Sequence, residues 1–326
     1  GLWGGLIMLG RARLNLSSSE AHIEGIPLTE PRAVYGGFDD NDNSGVLKYV
    51  SIRHGGTNIG EGNEINGLTL GGVGSETLIE HVEVISNYDD GIECFGGTVN
   101  CRNIVIAFCG DDAFDFDIGY RGYGQFWLAV QQNAVGDKLI EGGGGVDPVT
   151  GQPYSTPVLY NSTFIGRGAY ALNHVCQLYS NAGGTFANNI FLNQSTGVQI
   201  EYVEGSMDSY QQFEQENLQM KNNVFYDVAG NDTASIFNVF AAEGVDVNNQ
   251  NLTFKTYFTE AMNKVADPGI EYSDESLYPI PQGNVFDNLA TYPDTWFEEV
   301  GYKGAFFTYN WASGWTLLSQ SGYLKD

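Results

Sequence analysis

Positive charge is what this chain has least of. Its 326 residues carry 14 Lys plus Arg against 40 Asp plus Glu, a formal net charge of −26. Phosphate backbones are gripped by the opposite sign, so nucleic acid is excluded as a partner. Acidic polysaccharides and anionic membranes are repelled as well, unless cations bridge the contact. Long apolar runs are missing too. None approaches the roughly 18 residues of a membrane helix, so no membrane insertion is expected of the chain as given. Cysteine is scarce: Cys94, Cys101, Cys109 and Cys176 form no C-x-x-C, and of His22, His54, His81 and His174 only His174 stands near one, Cys176, which argues against zinc. The first three cysteines fall on neighbouring repeats, so a disulfide and buried thiols both stay open. G-x-S-x-G, H-E-x-x-H and G-x-x-x-x-G-K-[ST] are absent. The chain starts at Gly1 with neither Met nor a signal peptide, which reads as a processed or truncated product.

What the chain has is repetition. Asp89-Asp90-Gly91-Ile92-Glu93 aligns with Asp111-Asp112-Ala113-Phe114-Asp115, because 111 − 89 = 22 and 115 − 93 = 22. The same shift places Val82 on Ile104 and Val84 on Ile106. A looser third copy, Asp137-Lys138-Leu139-Ile140-Glu141, follows at 137 − 111 = 26. A period in the low twenties, built on short alternating apolar strands, marks a solenoid with one coil per repeat. Each coil then buries its face against its neighbours, so the length does not demand two globular domains. With 43 Gly and 13% aromatics the chain is acidic without being disordered.

Strands are expected at Tyr49–Arg53, Gly67–Leu70, His81–Ile85, Asn103–Ala107 and Phe126–Val130. They end in Gly, Asn or Asp, which tolerate left-handed corners. Upstream, Asp40, Asp42, Ser44 and Gly45 match the first half of a calcium loop, but its closing position is Ser51 rather than Glu. The alternative is an Asx-rich turn. Downstream, Asn161, Asn188 and Asn222 recur at the same point of later coils and are expected to stack their amides along the axis. After residue 245 the rhythm lapses. Thr256–Val265 has helical spacing. The aromatic end, with Trp296, Trp311 and Trp315, is expected to cover the last coil, sugar stacking being the other reading. The fold class is therefore all-β, a right-handed parallel β-helix. Coils occupy 1–245, and a less regular capping segment of the same domain occupies 246–326.

Coils lie about 4.8 Å apart. Glu93, Asp115 and Glu141 then form one column and Asp89, Asp111 and Asp137 a second, with Asp90, Asp112 and Asp117 alongside. Like charges at that spacing repel by roughly 1–3 kcal/mol. Three offsets are available. A cation, with Ca²⁺ the best match for many hard oxygens, could sit on Asp89, Asp90, Glu93, Asp111, Asp112, Asp115 and Asp117, with Asp40 and Asp42 a separate candidate. Arg121, Lys138 and Arg102 could neutralise the columns internally. Or Asp89, Glu93, Asp111, Asp115 and Arg121 could belong to a catalytic set: paired carboxyls for glycoside hydrolysis, or Ca²⁺ with Arg121 or Lys138 as the base of a lyase.

Trp3-Gly4-Gly5-Leu6-Ile7, Asp42 to Val50, Asp89 to Glu93, Gly110 to Ala113, Gly119 to Gly122, and Tyr302 to Phe306 with Trp311 and Gly314-Trp315 carry a resemblance. The chain resembles secreted right-handed parallel β-helix proteins of Bacteroidota, and more distantly the architecture of pectate lyases and polygalacturonases. The resemblance implies export to the outer cell surface or beyond. It implies no activity, since shared fold does not carry one across. The leading expectation is an exported, non-catalytic rod with a structural, adhesive or glycan-contacting role, stabilised by calcium, with a polysaccharide or a surface protein as partner. Asp232-Thr233-Ala234 also fits a short O-glycosylation pattern of that group. A polysaccharide lyase or glycoside hydrolase is the alternative, and a self-assembling filament subunit the third.

Overall fold

The computed structural model describes residues 1–57, 65–132, 134–169 and 171–326. Short strands joined at left-handed corners wind into a right-handed parallel β-helix. Among the described residues, eight strands stack in parallel in one sheet. In order they are Leu6–Leu9, Leu68–Gly71, Ile92–Phe95, Phe114–Asp117, Ile140–Gly143, His174–Tyr179, Thr196–Glu201 and Phe237–Phe240. Alternation decides which side chains face inward. Leu68, Ile92, Phe114, Ile140, Cys176, Val198 and Phe237 pair in register and enter the core, each at most 1% exposed. Their neighbours along each strand must therefore face outward.

An eleven-stranded sheet forms the other two faces of the coil. Its longest strands are Val46–Arg53, Leu78–Ile85, Asn100–Ala107 and Tyr123–Val130. Each starts three residues before the sequence expectation (49 − 46 = 3, and likewise for the others) because the ladder continues through the corner. The corner residues Tyr49, His81, Asn103 and Phe126 have φ of 55°, 53°, 57° and 60°, the left-handed region. On later coils Asn161, Asn188 and Asn222 hold the same corner, with φ of 49°, 57° and 57°.

Those three asparagines do not stack amide on amide. Their side chains turn outward onto the C-terminal tail: Asn161 Nδ2 donates to the Tyr302 carbonyl, Asn188 Nδ2 to that of Ala290 and Asn222 Nδ2 to that of Asn288. The axial ladder is one residue further on. The backbone N–H groups of Ser162, Asn189 and Asn223 donate to the Oδ1 atoms of Asn189, Asn223 and Asn263, at 2.8, 2.9 and 3.0 Å. All of these groups are buried, so each bond removes an otherwise orphaned donor.

The end of the solenoid is closed by the helix Asn248–Glu260, whose Phe254 and Phe258 pack on Phe225 and Phe237. The sequence placed this helix at Thr256–Val265. It starts eight residues earlier and stops before Met262, which is left-handed at φ 58°, and Lys264–Val265 is a strand on Val224–Phe225. The tryptophans do not cover that end. The tail runs back along the outside of the eleven-stranded sheet and buries its apolar face, with Ile270, Leu277, Val285, Phe306 and Leu318 packed on Ile85, Val105, Leu128, Ile165, Ile190 and Val224. Trp311 and Trp315 end up against His81 and Tyr49 of early coils. There the carboxylate of Glu83, fully buried, accepts the N–H groups of Leu317 and Leu318, both at 2.9 Å. A face of aliphatic residues this long would otherwise be an aggregation surface. All four cysteines are buried free thiols.

Candidate functional site

The outward positions of the eight-stranded sheet build the site. Register pairs Thr69 with Glu93, Glu93 with Asp115, Asp115 with Glu141 and Glu141 with Gln177. The carboxylate column that the repeat implies is therefore real, and it points out of the core. Phe95 pairs with Asp117 in the next outward column. The second column forms the adjoining corner, where the Gly110 N–H donates to the Asp89 carbonyl and the Asp137 N–H to the Asp111 carbonyl. Gly110 is required there: a Cβ would lie 1.8 Å from the Tyr88 carbonyl oxygen.

Between the columns runs a ladder of aspartates. Asp90 Oδ1 accepts the Asp112 N–H at 2.9 Å, and Asp112 Oδ1 accepts the Lys138 N–H at 2.6 Å. Asp90 is 7% exposed, Asp112 2% and Glu93 8%. Their carboxylate oxygens converge with those of the columns. Asp90, Glu93 and Asp115 bring one oxygen each within 4.8 Å of one another, as do Asp89, Asp90 and Asp111, and Asp111, Asp112 and Asp137.

Burial, and then the charge of Asp115, hold the Asp90 and Glu93 carboxyls well above the ordinary carboxylate range. Burial and Glu141 raise Asp112 in the same way. Asp115 is pushed up to about 8 by burial and by the charges of Glu141 and Asp117. Burial also raises Asp117. Such shifts mean that the folded state strains against these charges.

Among the described residues one cation stands beside them. Lys138 Nζ lies 2.7 Å from Asp137, 3.1 Å from Glu141 and 3.7 Å from Asp112. The other expected counter-ions are spent elsewhere. Arg121 pairs with Asp40 at 2.5 Å and donates to the Gly119 carbonyl, and Arg102 stacks on Trp296 at 4.5 Å. Asp40 also holds Arg13 at 2.7 Å, and Asp42 takes the Ser44 hydroxyl at 2.7 Å. Asp40 and Asp42 thus sit in an arginine-clamped turn, outside the three carboxylate clusters.

The structure adds residues that the sequence reading passed over. Asn66 Nδ2 donates to Glu93 Oε2, while Asn66 Oδ1 has no donor although the residue is 1% exposed. Thr69 Oγ1, next to Glu93 in register and 2% exposed, is likewise without a partner. The signal was present: Asn66-Gly67-Leu68-Thr69 overlays Asp90-Gly91-Ile92-Glu93 at 90 − 66 = 24. Tyr179 flanks the column from the other side, where burial and then Glu141 and Asp115 push its phenol up. Of the tyrosines near the acidic repeats, Tyr120 is in the core, Tyr123 lies under Trp296 and Phe297, and Tyr88 is exposed.

Coil, register and outward carboxylates together define a parallel β-helix with one acidic, chemically loaded face. Residues 1–316 match the family described as the pectate-lyase-like beta helix domain, and the chain belongs to that family. Neither a curated protein nor a solved structure matches the chain.

Proposed function

We propose that this protein is a calcium-loaded, non-catalytic rod, exported to the cell surface or beyond, that holds an anionic polysaccharide through cations on its acidic face. The observation that carries this reading is an imbalance. The carboxylates of Asp90, Glu93 and Asp115 converge, Lys138 reaches only the neighbouring Asp112, Asp137 and Glu141, and beside Glu93 the buried oxygen of Asn66 has no donor among the described residues. A hard cation supplies what both groups lack, since Ca²⁺ takes six to eight oxygens in loose geometry and accepts amide and hydroxyl oxygens with carboxylates. Asp90, Glu93 and Asp115 with Asn66 and Thr69 are the donors we assign. A bound cation also reverses the sign of the face, which lets a polyanion approach a chain of net charge −26. The resemblance to secreted proteins of Bacteroidota supports export. No helix among the described residues is long and apolar enough to cross a membrane.

A hydrolase or lyase is the second reading, favoured by the Asp115 carboxyl, which at about 8 stays protonated at neutral pH as a general acid must. The candidate bases argue against a lyase. Lys138 is held by Asp137, Glu141 and Asp112, whose charges keep it protonated, and Arg121 is clamped on Asp40.

The test is calorimetric titration of Ca²⁺ into chelator-stripped protein, followed by retention on polygalacturonate with Ca²⁺ or with EDTA. Saturable Ca²⁺ binding that is lost in Glu93→Gln, with retention only in Ca²⁺ and no release of unsaturated or reducing ends, is expected. Absence of Ca²⁺ binding sinks the proposal, and release of ends that disappears in Asp115→Asn replaces it with the enzyme.

A further inference from the structure

A second feature lies on a different part of the coil, where the tail crosses the corners of early coils. A cavity of about 300 Å³ opens there, lined by Asn103 and Phe126 of the corner and by Glu298, Tyr302, Tyr309 and Trp311 of the tail, among others. Its size is at the lower end for small-molecule sites, right for one sugar ring.

The corner ladder shows why it is open. At Asn161, Asn188 and Asn222 the corner amide is consumed by the tail backbone. Asn103 holds the equivalent corner, with the same left-handed backbone, yet its side-chain amide makes no hydrogen bond among the described residues. The tail touches the early coils through rings instead: Phe126 stacks on Tyr302 at 6.4 Å, and His81 meets Trp311 edge-on at 6.2 Å. Across the cavity, Glu298 uses its backbone N–H and carbonyl on Gln125, at 2.9 and 2.8 Å, and its carboxylate has no partner among the described residues. Tyr309 is 70% exposed at the rim and has no ring neighbour among the described residues. Trp311 is fixed at the back, one face on Phe306 at 5.0 Å and its Nε1 donating to the Ala305 carbonyl at 2.8 Å.

Flat apolar rings beside an unpaired amide and an unpaired carboxylate suit a ligand with an apolar face and a rim of hydroxyls. We propose that this cavity binds one neutral hexopyranose residue, stacked between Tyr309 and Trp311 and hydrogen-bonded by Asn103 and Glu298. It is separate from the acidic face and needs no cation.

Calorimetry in EDTA keeps the two sites apart. The full chain is titrated with galactose, glucose, mannose and N-acetylglucosamine, and with choline to test for a cation cage. At least one hexose is expected to bind. Tyr309→Ala, at an exposed position, and Asn103→Gly, which suits φ 57°, should each weaken it about tenfold, the value of one good contact. Failure of every hexose overturns the proposal, as does hexose binding unchanged in both variants. Choline binding without hexose binding assigns the cavity to a cation instead.

Discussion

Two ladders climb this solenoid at different corners of the coil, and they do the same backbone job with different residues. At one corner Asn189, Asn223 and Asn263 each accept an N–H from the coil before, and their Nδ2 atoms donate to the carbonyls of Leu159, Phe186 and Met220. Every polar atom there has work, and no net charge is buried. At the other corner Asp90 and Asp112 accept an N–H from the coil after them. Here each rung buries a charge that its neighbours repel, although asparagine could accept the same bond. Desolvating a carboxylate costs several kcal/mol unless a partner offsets it. A corner that needed only a hydrogen-bond acceptor would gain nothing from aspartate. That difference is what supports placing the proposed function on this face.

The sharpest way to break that comparison is to make the two corners alike. Asp90→Asn together with Asp112→Asn keeps the acceptors and removes the charges. Without calcium the double variant should be more stable than the parent by roughly 1–4 kcal/mol in urea melts, and calcium should no longer raise its midpoint. The parent should show a matching pH dependence. Asp115 has a folded pKa of about 8, above its unfolded value, so the folded state binds the extra proton between about pH 4 and 8. Metal-free stability from this group is then fully present below about pH 4 and falls by a few kcal/mol as pH rises through 8. Calcium should flatten the curve. A metal-free stability that rises from pH 5 to 9 would contradict the assignment.

On the other ladder, Asn189→Ala leaves the buried Ser162 N–H without its acceptor and takes one of its donors from the Leu159 carbonyl. One orphaned buried donor should cost about 1–3 kcal/mol, independent of calcium and nearly independent of pH. A calcium-dependent loss there would erase the distinction between the corners.

The carboxylate columns were legible in the sequence because the repeat is tight where they stand. A shift of 22 residues with the same alternation fixes register, and register fixes which side faces out. The asparagine ladder was legible to within one residue and no better. Asn188-Asn189 and Asn222-Asn223 are doublets, and nothing in a doublet says which member turns inward. The fates of Arg121 and of the tryptophans were hidden for another reason. Arg121 meets Asp40, 81 residues away, and Trp315 meets Tyr49 only because the tail doubles back over the rod. Local pattern carries no information about such returns. Lys138 was found as a counter-ion because it stands next to Asp137 and three residues from Glu141.

The smallest effect should come from the outer member of the same doublet. Asn188 exchanges two bonds with Ala290, Nδ2 to carbonyl at 3.1 Å and N–H to Oδ1 at 2.8 Å, and its φ of 57° suits glycine. Asn188→Gly therefore deletes the clasp without straining the corner. Water can reach the freed Ala290 groups once the tail lifts, so the penalty is that of ordinary hydrogen bonds, about 1 kcal/mol, rather than that of buried orphans. The loss should also be local. Amide exchange should quicken in the tail around residue 290 while the amides of Ser162 and Asn189 keep their protection. If Asn188→Gly instead destabilised the chain as much as Asn189→Ala, the tail would be a cooperative part of the solenoid core rather than a strap laid over it.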